Sequence, residues 1–406
     1  MKYARNDDCP PVYSLPEIIE NRQKKITPPR CALPLAEPLT ERPMPPLVPK
    51  PYRIMQGIRS VSSFVHRNAA IDENDALWVW GATEKARVNE FGILGAVSDD
   101  VEHKVDYIPK KVLDNADSVS VGHWHTMCVT RDRKLWSWGY NDYGELGTGN
   151  FIDQPEPVFI MDGVKRAFAF FGMSFAIMED DSLWGWGNNE HFVLHDANEI
   201  NKRPVFLFAD VHAVNASLSS VLAIKKNGDL WQWGEFGSGH HNRDIRYYRP
   251  PELFMEGIRE AISIPSTWLG DDSVLILAQN GDLYSYGYCY KNGGMCSIQV
   301  MKRVGNGPVK ILTNVNHVYW GYNFSLVLQN NGCLYSSGMN TSGQLGRGKA
   351  TSGFGSNKPQ LVMRDVIEAA AARFHGMALQ SNGDLWIWGG AYGLPDVLNS
   401  KDLNMC

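Results

Sequence analysis

The sequence predicts an all-β chain, a seven-bladed β-propeller with about four strands per blade, preceded by a proline-rich arm. Three observations predict it. A five-residue signature of leucine, two aromatics around a variable residue, and glycine recurs seven times at near-constant spacing. Each copy is flanked by the same order of turn, apolar strand and glycine-rich loop. The repeats are free of long 3.6-residue periodic runs, so strands and not helices fill them.

The signature reads LWVWG ending at Gly81, LWSWG at Gly139, LWGWG at Gly187, LWQWG at Gly234, LYSYG at Gly287, LYSSG at Gly338 and LWIWG at Gly389. Successive glycines are 58, 48, 47, 53, 51 and 51 residues apart, and ten of the 13 tryptophans lie in the motif. Residues two apart on a strand share a face, so Trp136 and Trp138 point one way and Leu135 and Ser137 the other. Both faces need cover, and a lone blade cannot supply it. Stacking against neighbours can, which is why such a unit has to repeat.

A polar turn precedes each signature: DEND, RDRK, EDDS, KNGD, QNGD, NNGC and SNGD. Asn-Gly pairs suit tight hairpins because glycine accepts positive φ. Before the turn runs a short apolar strand such as TMCVT, SFAIM, SLVLQ or GMALQ, and earlier still a Pro- or Val-led strand such as PVFIMDGVKRAFA. The segment VIEAAAARF (366–374) is helical by propensity, but it aligns with strands elsewhere and is therefore read as a strand. The last copy ends soon after Gly389, so the strand at 51–61 is expected to pair with the last blade and close the ring.

Residues 1–50 form the arm and 51–406 the propeller. The arm holds 11 of the 22 prolines, which excludes a sheet interior or a long helix. One short helix is expected there, capped by Ser14 with Pro16 in its first turn and Glu17 completing a capping box. PMPP and PLVP are the segments for a polyproline docking reading; an extended arm packed on the domain or left loose is the plainer one.

A net charge of −5 and a pI near 6.1 exclude a broad basic surface, and with it nucleic-acid binding. Seven cysteines without a CxxC pair argue against a disulfide framework. The start MKYARNDDCPP lacks an apolar signal region, and no run approaches a membrane span, so a cytoplasmic monomer is expected.

The repeat resembles that of the regulator of chromosome condensation family, whose pattern is similar to GxxHSxALxxDGxLWxWGxNxxGQLG followed by PxxV. GHWHTMCVTRDRKLWSWGYNDYGELGTG (122–149) follows it nearly throughout, and YNFSLVLQNNGCLYSSGMNTSGQLGRG (322–348) follows it well. The third and fourth copies depart from it, with NNEHFVLH (188–195) and EFGSGHH (235–241) in place of the last loop. The resemblance spans about residues 51–395 and implies a seven-bladed ring. It also implies protein binding or guanine-nucleotide exchange on a small GTPase. Exchange factors of that family use a protruding β-wedge, and the extra segment 96–109 is a poor candidate for one.

No catalytic constellation, phosphate-cradling loop or HExxH motif occurs, and no cofactor is called for. Among candidate ligands, His191 and His195, and His240, His241 and Asp244, lie in glycine- and asparagine-rich loops where four-residue spacing has little meaning, so no metal site is assigned. Asp99/Asp100 and Asp180/Asp181 fall at turns and read as solvated. What departs from the repeat is one rim. The three tryptophans outside the motif, Trp124, Trp268 and Trp320, fall in or beside the loops that enter the second strand. With them come His66, Arg67, His123, Asp271, Asp272, Tyr322, Asn323, Phe374 and His375. Aromatics and arginine favour protein contacts, so the reading is a non-enzymatic scaffold that binds another protein with this rim. The competing reading is that His125 and its equivalents simply hold the turns.

Overall fold

The computed structural model describes residues 48–64, 67–82, 105–190, 193–194, 200–217, 219–234, 250–264, 273–286, 307–321, 324–351 and 354–390. All lie in the second of two units, Met44–Cys406; the first is Met1–Pro43. The expected arm helix therefore lies outside the described residues.

Seven four-stranded antiparallel sheets form the ring. Blades one to six each take four consecutive strands, beginning with Ile58–Phe64 in blade one and ending with Phe354–Met363 in blade six. Blade seven takes Val366–Ala371, His375–Gln380 and Leu385–Gly389, and borrows Val48–Met55 as its outer strand. The expected closing strand at 51–61 is thus split by Gly57, whose φ is 67°. Residues up to Met55 pair with Leu385–Gly389, while Ile58 already starts the inner strand of blade one. The closing strand starts at Val48, inside the segment that composition assigned to the arm. VIEAAA is a strand, Val366–Ala371, as its alignment indicated.

Core packing lies between blades. One cluster joins Phe175 and Leu183 of blade three to Val221 and Trp233 of blade four. Another joins Ile58 and Trp80 of blade one to Met377 and Leu385 of blade seven. The two tryptophans of the motif differ in burial although they share a face. Trp80, Trp138, Trp186, Trp233 and Trp388 are buried in the seams, whereas Trp136, Trp184, Trp231 and Trp386 remain half-exposed beside the outer strand. There Trp136 meets Phe159 and Trp184 meets Phe206 edge to face, with centroids 6.0 and 6.1 Å apart.

Three turn positions explain the glycines. The described motif glycines end the third strand at φ between 93 and 124°. A Cβ on Gly187, Gly234 or Gly389 would strike the carbonyl oxygen just before the second strand, at Gly172, Ser219 or Phe374. Where one blade passes to the next, all seven residues have φ of 60–73°: Gly57, Asn115, Gly163, Asp210, Gly257, Asn314 and Asp365. Those are the residue types that tolerate the left-handed region. The turn between second and third strands supplies the third set, treated below.

Each outer strand carries, or directly follows, a proline two residues before the partner of the motif's first aromatic. These are Pro51, Pro109, Pro157, Pro204, Pro251, Pro308 and Pro359. All sit where the strand begins or breaks register, the places on a sheet edge that accommodate a residue without a backbone donor.

Candidate functional site

The loops between inner and second strands share one end of the ring with the loops between third and outer strands. In blades two and six the latter are knotted by one asparagine. Asn141 Oδ1 accepts from Leu146 N–H at 2.9 Å while its Nδ2 donates to the Asn150 and Ile152 carbonyls. Asn340 repeats this with Leu345 and Lys349, and Asn189 with Leu194 in blade three. These loops are built structures, so the side chains around them are held in place.

At this end, blades one to three bring aromatic rings together. Phe64 of blade one meets Phe171 of blade three edge to face at 5.2 Å. His123 of blade two lies 6.0 Å from Phe64, 5.4 Å from Phe171 and 4.4 Å from Trp124. Trp124 stacks on Tyr143 at 6.0 Å with 20° between planes. All five rings are half-buried. Burial, then the positive charges of Arg67 and Arg373, push the His123 imidazole down to about 3. Arg373 in turn lies over the Phe374 ring, 5.1 Å from its centroid. The patch is therefore aromatic with a neutral histidine and cationic neighbours.

The other predicted rim residues divide. His375 is fully buried: its Nε2 faces Asn68 Oδ1 of blade one at 2.7 Å. His125 does the same between blades two and three. Its Nε2 lies 2.7 Å from Ser174 Oγ, and that hydroxyl donates to the Glu145 carbonyl at 2.6 Å. Because the single hydroxyl proton is used there, His125 must donate from Nε2. Burial pushes His125 down to about 3 and His375 to about 4, so both are neutral clasps. Arg67 occupies the corresponding first position of the second strand in blade one and is 3% exposed. Trp320 ends an inner strand and packs against the cluster of Leu275, Leu277, Val318 and Val327. His66, Trp268, Asp271, Asp272, Tyr322 and Asn323 lie outside the described residues, as do His191, His195, His240, His241, Asp244, Asp99 and Asp100.

Sequence reasoning missed Phe64, Tyr143 and Phe171. The available signal was positional: Phe171 follows Phe170 in the loop where blade two carries His123 and Trp124. Among the described residues, no group of three His, Cys, Asp or Glu side chains is placed to hold a metal ion. No helix there is long and apolar enough to cross a membrane. Of the extra segment 96–109, residues 105–109 belong to the outer strand of blade one, Val105–Leu113, and the remainder is outside the described residues.

Residues 116–145 match one description of the regulator of chromosome condensation (RCC1) repeat, and 132–169 and 331–379 match a second. The chain carries regulator of chromosome condensation repeats over these residues. The matched RCC1 repeats contain the two loops with the full GELG and GQLG pattern. The ultraviolet-B receptor UVR8 of Arabidopsis thaliana is 24% identical over 366 residues, covering 85% of this chain and 80% of the receptor. The guanine nucleotide exchange factor SRM1 of Saccharomyces cerevisiae is 26% identical over 298 residues, covering 67% and 56%. The mitochondrial RCC1 domain-containing protein RUG3 of Arabidopsis thaliana is 28% identical over 186 residues, covering 44% and 42%. Among solved structures, human WBSCR16 superposes with a TM-score of 0.62 at 20% identity, covering 84% of this chain and 90% of that one. Prp20p from Saccharomyces cerevisiae, described with its binding to Gsp1p and histones, superposes at 0.61 with 19% identity, covering 86% and 84%. Both superpositions are likenesses of fold.

Proposed function

We propose that this chain is a non-enzymatic protein-binding propeller whose partner docks on the aromatic patch of blades one to three. The carrying observation is that Phe64, His123, Trp124, Tyr143 and Phe171, drawn from three blades, meet at one end of the ring while remaining half-exposed. Large rigid rings around a desolvated centre are the composition of binding hot spots. Three of the perturbed groups, His125, His375 and Glu145, are fully buried and serve the packing of the ring.

The test compares native-lysate capture by the parent chain and by W124S/F171S. Loss of the captured partner with an unchanged melting temperature supports the reading. Retention of the partner refutes it, and a large fall in melting temperature assigns both rings to the core. Trp320 is left out of this variant because it packs in a seam.

Guanine-nucleotide exchange is the second reading, supported by the likeness to SRM1 over 67% of the chain. A nucleotide-release assay across a panel of small GTPases tests it, and uniform silence removes it.

A further inference from the structure

At the other end of the ring lie the turns between second and third strands. Each has one residue in the left-handed region. In blades four to seven it is glycine: Gly228, Gly281, Gly332 and Gly383. In blades one to three it is Asp75, Arg133 and Asp181, with φ of 63–65°. Aspartate tolerates that region, whereas arginine there strains the backbone. All three residues carry a charge.

The charges form a regular figure. Asp75 takes Arg59 of its own inner strand at 2.9 Å and Arg131 of blade two at 2.6 Å. Arg133 takes Asp117 of its own inner strand at 2.7 Å and Glu179 of blade three at 3.9 Å. Asp181 takes Lys165 of its own inner strand at 2.6 Å and Lys226 of blade four. Each left-handed residue therefore sits between two opposite charges, one from its own blade and one from the next. The sign alternates from blade to blade, and Arg131 also reaches Asp117 at 3.3 Å, linking the first two figures. Hydrogen bonds from Arg131 and Lys165 hold the Asp75 and Asp181 carboxyls below the usual carboxylate range.

We propose that these three alternating-sign triads are an electrostatic lock joining blades one to four, and that the lock positions the aromatic patch at the opposite end of the same blades. The patch spans the seams between blades one and two and between two and three, which are the seams the first two triads bridge. A binding surface made from three separate blades gains from being held in register before the partner arrives. The functional part rests on the proposed function; the lock itself does not.

Asparagine tolerates the left-handed region without carrying charge, so D75N/R133N/D181N removes the lock with little change in backbone demand. D75G/R133G/D181G removes it and relieves the strain. In low salt the asparagine variant should melt roughly 2–4 °C below the parent, with the glycine variant between them. At 1 M NaCl, where screening shortens to about 3 Å, the difference from the parent should vanish. Hydrogen exchange in low salt should speed up in the asparagine variant at both the triad turns and the 122–124 and 170–172 loops, with blades five to seven unchanged. A glycine variant more stable than the parent at both salts overturns the lock. Faster exchange confined to the turns overturns the positioning of the patch, whatever partner capture shows.

Discussion

His375 Nε2 lies 2.7 Å from Asn68 Oδ1, so a buried side-chain hydrogen bond ties the last blade to the first. The Asn68 oxygen also accepts from Ser63 Oγ at 2.7 Å. Ring closure is therefore not left to the borrowed outer strand alone. His125 and Ser174 repeat the clasp two seams further round, between blades two and three, with serine in the place of asparagine.

Replacing His375 by alanine should destabilise the ring by about 2 kcal/mol, since a buried hydrogen bond is lost and a cavity left. Chemical denaturation measures it. The pH dependence has a definite sign. An imidazole depressed to about 4 when folded leaves the unfolded chain binding the extra proton between pH 6.5 and 4. Its contribution is complete above about pH 6.5 and fades as pH falls through that window. H375A should flatten part of the acid limb of the stability profile.

Glu145 gives the opposite slope. It stands where blade six has Gln344, and it is fully buried. Burial pushes its carboxyl up to about 8. The folded chain therefore holds a proton that the unfolded chain has lost, and stability falls as pH rises from about 4.5 to 8. E145Q should match the parent near pH 4 and exceed it by on the order of 2–4 kcal/mol at pH 9. Urea denaturation at the two pH values checks this.

The two tryptophans of one motif should differ in cost. Trp186 is fully buried and donates from Nε1 to the Glu145 carbonyl at 2.8 Å, crossing a seam. Trp184 is half-exposed and donates to Ser182 Oγ within its own turn. W186A should cost about 3–5 kcal/mol and W184A about 1–2; paired thermal melts distinguish them.

Gly187→Ala should cost 3 kcal/mol or more, about the loss expected when a left-handed φ and a backbone clash coincide. Its φ is 103° and the added carbon would meet the Gly172 carbonyl. The variant's melting temperature checks it.

Much of the fold was legible because it is written seven times. One copy of LWxWG is ambiguous; seven fix strand, turn and blade count together, and they overrode the helical propensity of VIEAAA. The closing strand was legible in kind but not in extent, because Gly57 divides it only once neighbouring blades are in place. The unequal burial of Trp136 and Trp138 was not legible, since period-two reasoning sorts faces but not height along a blade. The site was read less well. Trp124 and His123 stood out as departures from the repeat, yet Phe64 and Tyr143 lie 60 and 19 residues from Trp124 in sequence and meet its neighbourhood only through the ring. His375 and Trp320 looked like rim residues because loop proximity does not reveal which side chains turn inward.

The seven outer-strand prolines bear on valency. A propeller is a disc with seven open sheet edges, and each could nucleate pairing with another disc. Particles with seven such valences would grow into a branched network at modest concentration, whatever their affinity per edge. By bounding or interrupting every edge at the same register, the prolines lower that number. What is left for association is the two ends of the ring.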